Sequence, residues 1–279
     1  MIEVGKKQAL VIVRAVKFGV YLGESMTASD EERILLPMKQ VPQGARAGDE
    51  IEVFVYRDSM DRPIATTNQP AIELGQVGVL KVKQTTKIGA FLDWGLEKDL
   101  LLPFHEQTVR VKEGDDCLVA LYVDKSGRLC ATMKVYKYLS THAPYGIGDM
   151  VHGRIYEISG NFGVFIAVDD RYSALIPKKE AQGSYTVGDV LELRVTEVKE
   201  DGKLSVSSRK KAYLQIDEDA EMVYGLIEEY GGVLPFDDKA SPETIQREAG
   251  LSKNAFKRAV GHLLKDGKIE LADGKIRII

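Results

Sequence analysis

The stretch "NFGVFIAVDDRYSALIP", residues 161–177, sets Gly163 after Phe162, places Phe165 two residues beyond it, and closes on Leu175-Ile176-Pro177. A packed strand spaces its apolar residues by two, so two phenylalanines crowding one glycine need another explanation. The pattern occurs twice more, as "FGVYL" at 18–22 and "IGAFLDW" at 88–94, around Gly19 and Gly89. Each copy runs on to Leu/Ile-Pro, at 35–37, 101–103 and 175–177, and each proline precedes a Gly-Asp by eleven residues, at Gly48, Gly114 and Gly188. An alternating strand follows ("IEVFVY", "CLVALY", "LELRVT"), then a polar turn and a last strand ("PIAT", "LCAT", "LSVS"). Landmarks that coincide three times establish a triplication, with periods of 70 and then 74 residues.

Each unit contains five short β-runs with glycine turns and almost no helical periodicity. That composition predicts a small Greek-key barrel of the OB type. "TTNQP" (66–70) and "STHAP" (140–144) read as linkers. Beyond residue 217 the period changes to helical. Met222, Val223, Leu226 and Ile227 share a face; Ser241-Pro242 opens a second helix that stops at Gly250. Ser252 opens a third, with Phe256, Val260, Leu263 and Leu264 on one side, and a hairpin turns at Asp273-Gly274. Three helices and a hairpin are the order of a winged helix-turn-helix. The expected class is mainly β, with three tandem five-stranded barrels (1–67, 71–140, 145–212) and a small α+β domain (217–279).

Composition bounds the function. Net charge is −4, and the final 65 residues, with 9 basic and 13 acidic groups, carry the whole excess. A near-neutral body does not hold a polyanion by bulk charge, so any nucleic-acid contact must use local patches. No apolar run approaches a membrane span, and the N-terminal residues read as a strand and not as a secretory signal, so the expected location is the cytoplasm. Cys117 and Cys130 lie in strand-like runs and are expected to be reduced structural thiols. The four histidines lack ligand spacing, and there is no phosphate-cradling glycine loop, Cys/His pair or serine nucleophile motif. A non-catalytic protein with no metal and no cofactor is expected.

The third unit, "GDMVHGRIYEISGNFGVFIAV…SALIPKKEA…YTVGDVLELRVTEVKEDGKLSVSSRKK", resembles an S1 RNA-binding domain. Three such units before a winged helix, in about 280 residues, are similar to the conserved virulence factor B family across essentially the whole chain. The resemblance implies RNA binding and a post-transcriptional role in gene regulation, including virulence genes. One departure stands out. RNA-binding S1 domains usually carry histidine where this chain has Pro37, Pro103 and Pro177, which removes one stacking group per site, and His105 is no obvious replacement.

Strand alternation points Val20, Leu22, Ala90, Leu92, Val164 and Ile166 inward and leaves Tyr21, Phe91 and Phe165 on the outer face. An outward aromatic on a small barrel is a stacking platform for single-stranded nucleic acid. Phe18 and Phe162 are expected to join it, the glycine permitting a bulge that turns both rings one way. Ile88 takes that place in the second unit. Aligning Ala65, Ala131 and Val206 brings Arg62, Arg128 and Lys203 into equivalence. Lys83 and Tyr156 are expected beside the aromatic, with Lys81 and Arg154 two residues earlier. The third unit is then richest, with Arg154, Tyr156, Phe162, Phe165 and Lys203. The first, with Val11 and Val13 at those strand sites, is the weakest RNA surface, left to pack against a neighbour. Trp94 is expected to be exposed near a strand end.

In the tail, Lys253, Lys257, Arg258 and Lys265 lie on the polar side of the third helix, and Lys268, Lys275 and Arg277 in the hairpin, where any could touch a nucleic-acid backbone. The aromatics have a plainer reading as inter-domain contacts, and the basic turn residues as solvated charge. The alternatives to single-stranded RNA binding are a protein-interaction or ribosome-associated scaffold, and a transcription regulator reading DNA through residues 252–265.

Overall fold

In the computed structural model the described residues are 2–58, 60–181, 183–208 and 212–279, the side chains of 212–217 excepted. The chain forms two compact units, Met1–Ser208 and Arg209–Ile279. The first holds three repeats of one five-stranded design. The expected end of the third repeat, at 212, abuts residues 209–211, which lie outside the described ones.

In the first repeat β1 (Lys7–Val16), β2 (Gly19–Gly23), β3 (Ile34–Pro37), β4 (Glu50–Arg57) and β5 (Pro63–Thr66) close into a barrel of order β1-β2-β3-β5-β4. The third repeats that closure with β11 (Met150–Ser159), β12 (Gly163–Val168), β13 (Tyr172–Pro177), β14 (Val190–Val198) and β15 (Leu204–Ser207). The second has β6 (Val77–Thr85), β7 (Gly89–Asp93), β8 (Leu100–Pro103), β9 (Asp116–Val123) and β10 (Leu129–Thr132) in the order β10-β9-β6-β7-β8. All six residues expected to point inward from the second strands are buried, as are Ala65, Ala131 and Val206.

The glycine that opens each second strand is required by close approach. A Cβ on Gly163 would lie 2.1 Å from the Ile176 carbonyl oxygen, and the same atom on Gly19 and Gly89 would lie 2.1 and 2.3 Å from those of Leu36 and Leu102. Gly163 also sits at φ +123°, where side chains are strained. This corrects the expectation of a bulge at the glycine. The bulge lies in the preceding strand, between Ile155 and Glu157, and recurs between Val82 and Gln84 and between Ile12 and Arg14.

That bulge moves the register by one residue. Glu157, not Tyr156, faces Phe165 across the ladder, and Gln84, not Lys83, faces Phe91. Tyr156 was expected on the outer platform; it is only 3% exposed, packed with Leu118, Ala120, Val135, Leu139 and Ala167 between the second and third barrels. Its hydroxyl has no hydrogen-bond partner among the described residues. Burial first, then the charges of Glu157 and Tyr136, pushes its phenol well above the ordinary tyrosine range.

The first and second barrels meet in the same fashion. β4 turns Val53 and Val55 into its own barrel, while Phe54 and Tyr56 join the core of the second. Trp94, expected to be exposed, is 3% exposed there, edge-on to Phe54 at 5.8 Å, with Nε1 donating to the Lys98 carbonyl at 2.6 Å. Polar clamps flank the contact: Arg57 Nε donates to the Gly127 carbonyl at 2.9 Å and Lys98 Nζ to that of Asp58 at 2.8 Å. Cys117 and Cys130 are buried, which pushes both thiols up to about 11 and leaves them protonated at neutral pH.

The second unit holds α1 (Ala212–Glu229), β16 (Val233–Leu234), α2 (Pro242–Ala249), α3 (Lys253–Lys265), β17 (Ile269–Ala272) and β18 (Lys275–Ile278), with the strands in the order β16-β18-β17. Ser241 and Ser252 cap α2 and α3 by accepting from Thr244 N and Ala255 N, and Gly250 ends α2 at φ +67°. Val223, Ile227, Ile245, Phe256, Ala259, Val260 and Leu263 make the core. Leu264, expected on that face, is exposed, and Ala259 lies there in its place.

Two stability outcomes follow. Gly163→Ala should cost at least about 2 kcal/mol in chemical denaturation, because strain and a backbone clash act together. Tyr156→Phe should stabilise the chain by about 1 kcal/mol, since it removes an unsatisfied buried hydroxyl while keeping the ring.

Candidate nucleic-acid interface

On the outer face of the third barrel, Phe165 is half-buried between β11 and β13, opposite Glu157 and Leu175. Phe162, 65% exposed just before β12, stands edge-on to it at 6.4 Å. A third ring comes from outside the barrel. Tyr136, in the one-turn 3-10 helix Val135–Tyr138 that leaves the second barrel, lies edge-on to Phe165 at 6.0 Å and is 49% exposed. Lys203 sits 5.5 Å from the centre of the Tyr136 ring. Asp201 first, then Tyr136, holds that ammonium above the ordinary lysine range. With Lys199, Ser173, Leu175 and Leu204, these groups line an open cleft of about 470 Å³.

Thus Phe162, Phe165 and Lys203 line one cleft as expected, whereas Tyr156, its ring centre 6.0 Å from that of Phe165, is buried and does not border the cleft, and neither does Arg154. Arg154 is only 18% exposed, forked onto Asp170 at 2.8 and 3.3 Å and donating to the Gly188 carbonyl. It holds the barrel together. Tyr136 escaped the sequence reading because it lies outside the repeat it serves. The available signal was the aromatic pair of "VYKY" at 135–138, next to a short linker.

The second barrel repeats the cleft at smaller scale, about 250 Å³. Ile88, Phe91, Leu101 and Arg128 stand where the third has Phe162, Phe165, Leu175 and Lys203. Here Tyr56, Arg57 and Asp61 of the first barrel form the extra wall. Lys83 does not border it; the ammonium pairs with Asp99 at 2.7 Å and Asp93 at 3.5 Å. In the first barrel Phe18 is exposed and edge-on to Tyr21 at 6.5 Å, but Arg14 lies over Tyr21 at 5.5 Å from the ring centre.

The equivalent basic residues share a further property. Arg62 pairs with Asp58 at 2.7 Å, Arg128 with Asp124 at 3.4 Å, and Lys203 with Asp201 at 2.7 Å, each within its own turn. Asp124 is held down at about 2. Its partial burial works against this, but hydrogen bonds from Ser126 and the Arg128 backbone, with the Arg128 charge, prevail. In the second unit Lys257, Arg258 and Lys268 are exposed and make no ion pair among the described residues, while Lys253 donates to the Lys239 carbonyl at 3.4 Å. Among the described residues no group of histidine, cysteine or acidic side chains is suited to a metal, and no helix is long and apolar enough to cross a membrane.

Comparison with known proteins agrees with this architecture. The S1 domain model matches residues 4–68 and 74–134, and the CvfB-like winged helix domain matches 221–278. Protein YitL of Bacillus subtilis is 30% identical over 97% of this chain and 92% of its own length. Conserved virulence factor B of Staphylococcus aureus is 30% identical over 83% of this chain and 80% of its own. A solved multidomain protein with nucleic acid binding domains from Streptococcus pneumoniae shares the fold, with a TM-score of 0.51 and 24% identity over 99% of this chain and 98% of that one. Identity of 30% with conserved virulence factor B over 83% of this chain, together with the CvfB-like winged helix at 221–278, makes this chain a member of the conserved virulence factor B family.

Proposed function

We propose that this chain is a non-catalytic RNA-binding protein that takes single-stranded RNA on the outer face of its third barrel. The observation that carries the reading is the cleft of Phe162, Phe165 and Tyr136 beside Lys199 and Lys203. Aromatic faces stack unpaired bases of any sequence, and adjacent ammonium groups meet the phosphates. The second barrel, with Phe91 and Arg128, contributes less, because its cleft is smaller and walled by the first. Phe18, Tyr21 and Arg62 of the first contribute least, since Arg14 already occupies the Tyr21 ring. The winged helix has an accessory part, with Lys257, Arg258, Lys268 and secondarily Lys253 touching the RNA backbone. Family membership supports a cytoplasmic, post-transcriptional role in gene expression, virulence genes among the targets.

One observation favours a second reading as a protein-interaction or ribosome-associated scaffold. Trp94 and Tyr156 are spent on contacts between barrels, and most basic groups of the barrel faces are internally paired. Reading of duplex DNA through α3 has exposed Lys257 and Arg258 in its favour and the acidic balance of the tail against it.

Titration of the full chain with single-stranded RNA, duplex RNA and duplex DNA separates these readings. Single-stranded RNA should bind best, and the Phe162→Ala/Phe165→Ala double variant should weaken it by at least about tenfold, given about 1–3 kcal/mol per stacked base. Unchanged affinity in that variant removes the third barrel's aromatics from the mechanism. Tighter binding of duplex DNA favours the winged helix, and no binding of any nucleic acid leaves the scaffold.

A further inference from the structure

The residue that follows the bulge in each leading strand stands directly across the ladder from the platform aromatic. Arg14 faces Tyr21, Gln84 faces Phe91 and Glu157 faces Phe165. Side chains so paired share one face, with Cβ atoms about 4.5–5.5 Å apart. A base stacked on the aromatic would therefore meet this residue at its edge. The three barrels fill this one geometric position with a cation, an amide and a carboxylate.

In the third barrel Glu157 borders the same cleft as Phe162, Phe165, Lys199 and Lys203. Neighbouring acids are engaged: Asp201 holds Lys203 at 2.7 Å, Glu197 accepts from Ser205 at 2.9 Å, and Asp170 is forked by Arg154. The Glu157 carboxylate has no hydrogen bond or ion pair among the described residues, and the residue is exposed. A bare carboxylate repels phosphate, so its presence beside a stacking ring argues for contact with a base edge, the two lysines serving the phosphates. An ionised carboxylate only accepts, through two oxygens set side by side. Guanine alone among the four RNA bases offers two adjacent donors on its Watson–Crick edge, N1–H and the N2 amino group. Adenine and cytosine set one amino group beside a ring acceptor, and uracil sets one N–H between two carbonyls.

We propose that Glu157 reads the edge of the base stacked on Phe165 and makes the third barrel select an unpaired guanine. This rests on the single-stranded RNA reading above. Gln84, which both donates and accepts, leaves the second barrel's equivalent position tolerant, and Arg14, laid over Tyr21, closes the first.

The test uses the full chain and short oligouridylates carrying one central guanine, inosine, adenine or cytosine. The guanine oligonucleotide should bind about tenfold more tightly than the others, a bidentate contact being the discriminating element. Inosine lacks the N2 amino group and should lose most of that advantage. In E157Q the guanine and inosine affinities should fall within about threefold of each other, with binding of unsubstituted oligouridylate retained or improved. The thermal midpoint of E157Q should match the parent, since Glu157 is exposed and its carboxylate holds no hydrogen bond or ion pair among the described residues. Guanine preference that survives E157Q, or RNA binding indifferent to the central base, overturns the assignment of Glu157. Failure of every oligonucleotide to bind the parent chain overturns the RNA reading itself, and this inference with it.

Discussion

The fourth strands of the first two barrels are apolar on both faces, and that double burial governs how the first unit is built. Val53 and Val55 fill one barrel while Phe54 and Tyr56 enter the next. Likewise Val119 and Leu121 fill the second barrel, and Leu118 and Ala120 meet the third. Each fully buried side chain of this kind contributes roughly 1.5–3 kcal/mol. The barrels therefore behave as neighbours with shared cores, more like stacked repeats than beads on a string. In the third barrel the equivalent strand carries Arg194 and Thr196 on its outer side, and the apolar pattern ends there.

This arrangement also makes the site. Because the second barrel packs on the third, the helical turn at Val135–Tyr138 lies beside the platform and delivers Tyr136 to Phe165. Tyr156 supports the turn from beneath, leaving its own hydroxyl unsatisfied, a local cost carried by the apolar contacts around its ring. A residue expected to bind ligand thus positions another that borders the cleft.

The repeat, the strand order and the barrel interiors were legible in the sequence because they rest on strict alternation and on glycines with no substitute. Gly19, Gly89 and Gly163 announce a backbone contact that no Cβ survives. What failed was the outer face after the bulge, where one extra residue exchanges Tyr156 for Glu157 and Lys83 for Gln84 opposite the aromatics. A bulge leaves no mark in hydrophobic periodicity when a tyrosine or lysine stands on either side of it. The inter-barrel contacts were written in "VFVY" and "CLVALY", continuous apolar runs that mean burial on both faces. The contrast with "LELRVT" was available, and Trp94 follows from it. Side-chain pairing within turns, as in Asp58–Arg62 and Asp124–Arg128, needs coordinates, because sequence spacing alone does not distinguish a bound arginine from a free one.

Those turn pairs bear on the ionic character of any contact with a polyanion. A lysine that starts out solvated displaces a condensed counterion when it meets a phosphate, and the release of that ion drives binding at low salt. Arg62, Arg128 and Lys203 already hold an aspartate, so a phosphate must compete with a partner attached to the same turn. The exchange returns an unpaired carboxylate beside the nucleic acid, which offsets much of the gain. At these three positions any hold on a nucleic acid would rest on ring stacking more than on released counterions, so their share of the affinity would change little with ionic strength.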